Sequence, residues 1–184
     1  MAEIFEQISD DLAAFIAAQP LFFVATAPSS GGHINLSPKG MDTLRVIDAE
    51  TVAYLDLTGS GNETSAHSAE NGRLTMMFCS FDAKAMILRL YGRGSTLLPG
   101  DARFEQLRPK FPELPGARQI IVLDVERVQT SCGYAVPRMD NPRHRDSLLR
   151  WAENKGDEGL VEYRERKNFV SIDGLPAPIA GSKR

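Results

Sequence analysis

Residues 57–65 (LTGSGNETS) combine the side chains and backbone features that bind a phosphate group. They follow an apolar run, 51–57, that predicts a strand, and they open a short polar helix. Glycines at 59 and 61 allow backbone amides to turn toward one point. A helix N-terminus adds unpaired N–H groups that favour an anion. Side-chain donors are available from Ser60, Asn62, Thr64 and Ser65.

The same residues also have a purely structural interpretation as a helix cap. Ser60 and Glu63 match the spacing of a capping box, and Asn62 is a good N-cap by itself. The nucleotide-kinase phosphate loop is excluded, because no Gly-Lys-Ser/Thr follows the glycines. Capping and anion binding can coexist, and both interpretations stay open.

Residues 33–40 (HINLSPKG) form a second polar segment. In a strand, alternate side chains point to opposite faces. Ile34 and Leu36 therefore share one face, and the opposite face carries His33, Asn35 and Ser37. Lys39 follows this polar row and could supply the charge that a phosphate needs. The alternative for Lys39 is a solvated loop lysine.

No other group of side chains predicts a catalytic or metal site. Cys132 lies in a loop-like segment, SCGYAVP, where it is either a reactive thiol or a small buried residue. With Tyr134 it is a candidate for contact with a substrate. Cys79 lies in an apolar strand and is expected in the core. The histidines are scattered and no CxxC spacing occurs, so no metal site is predicted; they are His33, His67 and His144. The catalytic residues remain unknown.

The composition excludes several classes of protein. With 184 residues, a net charge of −3 and a pI near 5.7, the chain fits one domain with no general attraction to nucleic acid. It has no apolar run of about 20 residues, the length that a membrane span requires. Acids near the N-terminus and two distant cysteines indicate neither a signal peptide nor a disulfide framework. We expect a cytoplasmic protein that does not contact membranes.

Hydrophobic periodicity predicts helices and mostly antiparallel strands in one α+β domain. A helix over 2–19 ends at Pro20, and the C-terminal part from about 142 is helical, with a second, charge-rich helix over 157–167. The architecture expected from this pattern is a small barrel or sandwich. The predicted strands cover 21–27, 33–37, 51–57, 73–81, 85–92 and 119–129.

Several segments together resemble the pyridoxamine 5′-phosphate oxidase-like family of FMN-binding split barrels. The resemblance is carried by NLSPKG (35–40), YLDLTGSGNETSAH (54–67), AENGRLTMMFCSF (69–81) and LRLYGRG (88–94). Two later segments, SCGYAVP (131–137) and NFVSIDGLP (168–176), resemble an uncharacterised branch of that family.

The resemblance implies a fold, a cofactor and a set of contacts. The fold is a six-stranded antiparallel split β-barrel with flanking helices, of class α+β. Residues 1–140 are the FMN-binding barrel with its N-terminal helix, and 141–184 are a helical extension and irregular tail of the same domain. The chain is expected to form a homodimer with FMN at the interface.

By position in the family pattern, the FMN phosphate is held by Lys39 and by the turn comprising Ser60, Gly61, Asn62, Glu63, Thr64 and Ser65. Asn35 and Ser37 are expected to face the flavin, with Asp56 and Thr58 beside it.

The sequence also departs from the vitamin-B6 oxidases of this family. Ile34 stands where they carry an arginine, and Thr64 and Ser65 stand where they carry an arginine–lysine pair. Their C-terminal tryptophan and arginine-containing motif has no counterpart in 171–184 (SIDGLPAPIAGSKR). Oxidation of pyridoxamine phosphate is therefore not the expected activity.

The expected function is that of an FMN-dependent oxidoreductase acting on an unknown small molecule. In such an enzyme the flavin performs the redox chemistry, which agrees with the lack of a catalytic signature. The alternatives are a non-catalytic flavin-binding sensor or store, a relative that binds a deazaflavin or haem, and a structural dimer without a cofactor.

Overall fold

One antiparallel sheet organises the computed structural model, which describes residues 2–179. Within that range the strands are β1 (Glu3–Phe5), β2 (Leu21–Thr26), β3 (Asn35–Gly40), β4 (Leu44–Asp48), β5 (Thr51–Leu57), β6 (Arg73–Cys79), β7 (Ile87–Leu97) and β8 (Ala117–Ser131). The helices are α1 (Asp10–Ala18), α2 (Glu63–Glu70), α3 (Ala102–Leu107) and α4 (Ser147–Lys167), and a 3₁₀ turn, Arg108–Lys110, continues α3.

The strand order is β3-β2-β6-β7-β8-β5-β4, and the short β1 pairs with β8. The α+β class, the antiparallel sheet and the split-barrel fold are thus confirmed, but the expected number of six strands is wrong. Seven strands lie on the continuous path through the described residues. Strand β4 was not predicted, because four of its five residues are half-buried and its apolar and polar residues do not alternate clearly. Strand β1 was not predicted, because Phe5 continues the helical spacing of the residues that follow.

Both faces of β5 and β8 are covered. On one face, Leu12 and Ile16 of α1 belong to an apolar cluster with residues of β2, β6 and β7, in which Phe22 and Phe78 are stacked. Ser9 caps α1 by accepting a hydrogen bond from the Leu12 amide. On the other face, α3 and the turn after it contribute a second apolar cluster. Polar groups near the end of β5 and at the start of β8, such as Asp56 and Gln119, are therefore removed from water.

Helix α4 bends at Gly156, whose φ of 65° lies in the left-handed region that glycine tolerates. The bend separates two helical pieces, as the sequence predicted, but the first begins at Ser147 and not near residue 142. After α4, residues 168–179 run irregularly back across the start of α2 and are called the C-terminal segment below. The last predicted tail residues, 180–184, lie outside the described residues.

Across residues 2–179 no helix has both the length and the apolar character that a membrane crossing requires.

Candidate functional site

Asp56, near the end of β5, is the centre of a buried charge cluster. Strand β4 pairs only with residues 51–54 of β5. Among the described residues, the later part of β5 has no strand partner on that side, and there its side chains contact Lys39 of β3. Lys39 of β3 donates from Nζ to Asp56 Oδ1 at 2.8 Å. From the neighbouring strand β8, Arg118 Nε and Gln119 Nε2 each donate to Oδ2, also at 2.8 Å. Asp56 is 3% exposed, and these contacts satisfy both of its oxygens.

The charge state of Asp56 follows from its partners. Burial alone raises the pKa of its carboxyl, but the charges of Arg118 and Lys39 and their hydrogen bonds hold the pKa well below the ordinary value. Asp56 is therefore a permanent anion at neutral pH and cannot serve as a proton donor. Two cations around one carboxylate leave the cluster with one positive charge in excess.

A polar cavity of about 360 Å³ opens beside this cluster. It brings together all of the predicted site residues except Thr58 and Ser65. Its lining is Asn35, Ser37, Pro38, Lys39, Asp56, Leu57, Gly59, Ser60, Gly61, Asn62, Glu63, Thr64, Arg118 and Ile172.

The two predicted residues outside the polar cavity are bonded within the fold. Thr58 Oγ1 donates to the carbonyl of Gly116 and accepts from Arg164 Nε, each at 2.8 Å. Ser65 Oγ donates to the carbonyl of Pro178 at 2.8 Å. Both hydroxyls thus connect distant parts of the chain.

The polar row of β3 forms one wall of the polar cavity. Asn35 Nδ2 donates to Thr26 Oγ1 and to Thr64 Oγ1 at 3.1 Å, and Ser37 Oγ donates to Asn35 Oδ1 at 2.8 Å. Asn35 and Ser37 are half-buried, and the apolar residues of the opposite face are exposed: Ile34 is 78% exposed and Leu36 62%. The alternation predicted for this strand is present, and its apolar side points away from the sheet's core.

The N-terminus of α2 carries no side-chain cap. Asn62 is at the N-cap position but makes no capping hydrogen bond. Its Oδ1 instead accepts from Gln119 Nε2 at 2.8 Å, and its Nδ2 donates to the carbonyl of Asn168 at 3.2 Å. The capping interpretation of Asn62 is therefore wrong, and the first amides of α2 are not satisfied by that side chain.

The C-terminal segment closes one side of the polar cavity. Asn168 is fully buried, accepts from Arg118 Nη1 at 2.9 Å and donates to the carbonyl of Gly59 at 3.1 Å. The amide of Ile172 donates to the carboxylate of Glu63, and Asp173 accepts at 2.8 Å from the backbone amide of His33. The segment thus connects α2, the residues just before β3, and β8.

Three residues of this site were missed from the sequence: Arg118, Gln119 and Asn168. For Arg118 and Gln119 the only available signal was a charged residue and an amide at the beginning of the long apolar strand β8, and Asn168 was marked only as the first residue of NFVSIDGLP (168–176). Their partners are 50 or more residues away in the chain, as in the bonds from Arg118 to Asn168 and to Asp56. Local patterns carry no information about such contacts.

A larger cavity of about 710 Å³ adjoins the polar one and shares Pro38, Lys39, Leu57 and Gly59 with it. Its remaining lining is Pro20, Leu21, Gly40, Met41, Thr43, Leu55, Phe81, Met139, Pro142, Arg143, His144, Arg145 and Leu148. Neither Cys132 nor Tyr134 lines either cavity, although both are exposed. The two cavities share four lining residues and are together called the trough, which has a polar end and a largely apolar body.

The polar end can still offer donors to an anion. Lys39 uses one of the three N–H groups of its ammonium on Asp56. Arg118 uses one N–H on each of its nitrogens, which leaves one N–H on Nη1 and one on Nη2. Both cavity volumes lie in the range of about 300–1,000 Å³ that is usual for small-molecule sites. The trough therefore fits a molecule with a phosphate at one end and an apolar ring at the other.

The comparisons with known proteins agree on one family. Residues 8–132 match the family model described as pyridoxamine 5′-phosphate oxidase. The chain is similar to ustO of Aspergillus flavus, a pyridoxamine 5′-phosphate oxidase family protein. The two sequences are 43% identical over an alignment of 195 residues, which covers 96% of this chain and 78% of ustO.

Two solved structures share the fold. A putative pyridoxamine 5′-phosphate oxidase from Lactobacillus delbrueckii has a TM-score of 0.55 and 18% identity, over 67% of this chain and 94% of that one. HupZ from Group A Streptococcus has a TM-score of 0.51 and 22% identity, over 66% of this chain and 91% of that one. At these identities the likeness extends to the fold alone.

Proposed function

The chain belongs to the pyridoxamine 5′-phosphate oxidase family, and on this premise we propose that it binds FMN in the trough and acts as a flavin-dependent oxidoreductase. The observation that carries the proposal is that the polar cavity, which Lys39 and Arg118 line, adjoins the larger apolar cavity and shares four lining residues with it. FMN has the matching shape, with a phosphate at one end and a ring system at the other.

The phosphate would lie in the polar cavity. Lys39 and Arg118 would hold it through the N–H groups that Asp56 does not use, and the first amides of α2 would add to the same field. Ser60, which also lines this cavity, is a further donor. Asn62, Glu63 and Ser65 would act indirectly, because their polar atoms bond Gln119 or the C-terminal segment.

The ring system would lie in the larger cavity. Pro38 and Leu57 line both cavities and would contact the ring near the phosphate end, and Asn35 and Ser37 would present polar groups at its edge. When bound, the flavin would supply two-electron transfer to or from a substrate. The protein would position the ring and exclude water, so a separate acid or base is not required.

The dimer expected from the family is part of the same proposal. Strand β3 is an edge of the sheet, and both Leu36 on its outer face and Ile34 just before it are exposed. Unpaired edges with apolar side chains favour association with another strand or surface. We expect a homodimer by sedimentation equilibrium, with the trough close to the subunit boundary. A monomer that still binds FMN would leave the cofactor proposal intact and remove the dimer.

Comparing FMN with riboflavin tests the cofactor assignment, because riboflavin lacks only the phosphate. Titration by quenching of flavin fluorescence should give at least about tenfold tighter binding of FMN, as expected for charge-assisted bonds to a phosphate. Lys39→Met should remove most of this preference, and Lys110→Met, an exposed lysine on the 3₁₀ turn, should leave it unchanged. Equal affinity for the two flavins would contradict the proposed phosphate site.

Turnover distinguishes an enzyme from a flavin store. The FMN-saturated protein is supplied with reduced nicotinamide and a dye acceptor, and dye reduction is followed by absorbance. Multiple turnovers above the rate of free FMN would support the oxidoreductase. Tight binding without turnover with any donor would favour the non-catalytic alternative.

A further inference from the structure

The larger cavity has a cationic rim and an acid-free lining. Among the described residues, 2–179, its lining includes Lys39, Arg143 and Arg145 but no aspartate or glutamate. Lys39 is paired with Asp56. Among residues 2–179, neither Arg143 nor Arg145 makes an ion pair or a side-chain hydrogen bond. Two guanidinium groups therefore stand beside an apolar cavity without counter-ions.

The segment that carries these arginines is fixed against the sheet. His144, between them, accepts through Nδ1 a hydrogen bond of 3.1 Å from the backbone amide of Met41. A Cβ added to Gly40 would lie 3.1 Å from the carbonyl oxygen of Pro20 and 3.5 Å from His144 Nδ1, so the segment lies close to the end of β3. The backbone that carries the two arginines is thus held near the end of β3 by a defined contact.

The rest of the lining suits an apolar body. Pro20, Leu21, Leu55, Phe81 and Leu148 all lie on it. Burial of apolar surface against such side chains provides most of the binding free energy of a small molecule, and a few polar groups orient it. Among the described residues that line the larger cavity, the two guanidinium groups are the only charged groups without an ion-pair partner.

We propose that the larger cavity takes an apolar molecule that carries a carboxylate, bound by Arg143 and Arg145. The planar guanidinium donates two parallel hydrogen bonds that match the two oxygens of a carboxylate. The inference rests on the proposed function, in which this molecule is the substrate and its apolar part lies beside the flavin ring. The substrate would thus be an apolar carboxylate bound by Arg143 and Arg145, and the phosphate of the cofactor would be bound by Lys39 and Arg118.

Two ring compounds of equal size test the proposal. 2-Naphthoate and 2-naphthamide are titrated by calorimetry into the full chain, both as purified and saturated with FMN, at low salt. Naphthoate should bind about tenfold more tightly than the amide, because both arginines are exposed and their contribution is moderate. Raising the salt to about 0.5 M should reduce the difference.

The double variant Arg143→Gln, Arg145→Gln should bring the two compounds to within about twofold of each other by weakening only naphthoate. Its control is Arg93→Gln, Arg103→Gln, which removes the same charge from two exposed arginines that line neither of the two cavities. This control should keep the full preference for naphthoate.

Each other outcome has a distinct meaning. Equal binding of the two compounds to the unmodified chain, or a preference that survives in the Arg143/Arg145 variant, overturns the inference. Loss of FMN binding in that variant with naphthoate unaffected also overturns it, because the arginines would then serve the cofactor. If the chain does not bind FMN but prefers naphthoate to naphthamide in a way that depends on the two arginines, the carboxylate site is supported and the proposed function is contradicted.

Discussion

Asp56 and Arg118 form an ion pair in which both side chains are almost inaccessible to water, with Arg118 Nε 2.8 Å from Asp56 Oδ2. Adjacent strands β5 and β8 hold the two residues, and Lys39 approaches from β3 to the other carboxylate oxygen. The pair joins the centre of the sheet to the polar cavity. Its integrity determines both the stability of the fold and the charge offered to a ligand.

Asp56→Ala should lower the free energy of unfolding by about 3–5 kcal/mol, because it leaves the buried charge of Arg118 uncompensated. Urea unfolding followed by circular dichroism measures the change. The control is Asp124→Ala, which removes the partner of Arg103 in an exposed pair and should cost no more than about 1 kcal/mol. Equal losses in the two variants would show that the Asp56 cluster contributes no special stability.

The same carboxylate gives a pH dependence of defined sign. Its pKa in the folded protein lies below the unfolded value of about 3.9. The stability that it contributes is therefore complete above about pH 5 and is lost as pH falls below about 4. Thermal unfolding between about pH 6 and 2.5 should show a steeper decline in the unmodified chain than in Asp56→Asn. Parallel curves would mean that Asp56 titrates normally.

Asn168→Ala should loosen the C-terminal segment, because it removes the acceptor of Arg118 Nη1 and the donor to the carbonyl of Gly59. The expected cost is about 1–3 kcal/mol, since buried polar groups are left unsatisfied. Amide hydrogen exchange should accelerate in 168–179 more than in the strands. The neighbouring exposed Lys167→Ala is the control, and unchanged exchange in Asn168→Ala would contradict the proposed anchoring role.

Glu63→Gln should tighten FMN binding about two- to fivefold, because it removes a negative charge from the polar cavity yet keeps an oxygen for the amide of Ile172. Riboflavin, without a phosphate, should bind Glu63→Gln and the unmodified chain equally. The control is Glu70→Gln, at the opposite end of α2. Weaker FMN binding in Glu63→Gln would mean that this carboxylate does not lie near the phosphate.

The sequence predicted the components of the polar cavity better than their roles. Strand alternation placed Asn35 and Ser37 on the face that lines the cavity, and the glycine turn led directly into α2. These features are local, so periodicity and turn chemistry reveal them. The convergence of Lys39 and the turn was predicted from the family resemblance, although each segment separately had the features of half an anion site.

The partners of these residues could not be predicted in the same way. Lys39 bonds Asp56, and Asn62 bonds Gln119 and Asn168, through pairings set by strand order and by the return of the C-terminal segment. Such contacts depend on the order of the strands in the sheet, which cannot be predicted from the pattern of a short sequence segment. Strand β4 was missed for a related reason, since its half-buried residues show no period of two.

The visible absorbance spectrum of the chain, saturated with FMN and passed through gel filtration, tests the central proposal most directly. We predict flavin bands that remain with the protein at about one flavin per chain, and that are lost when riboflavin replaces FMN. A sharp Soret band in the protein as purified, or a colourless protein after gel filtration, would contradict FMN binding in the trough.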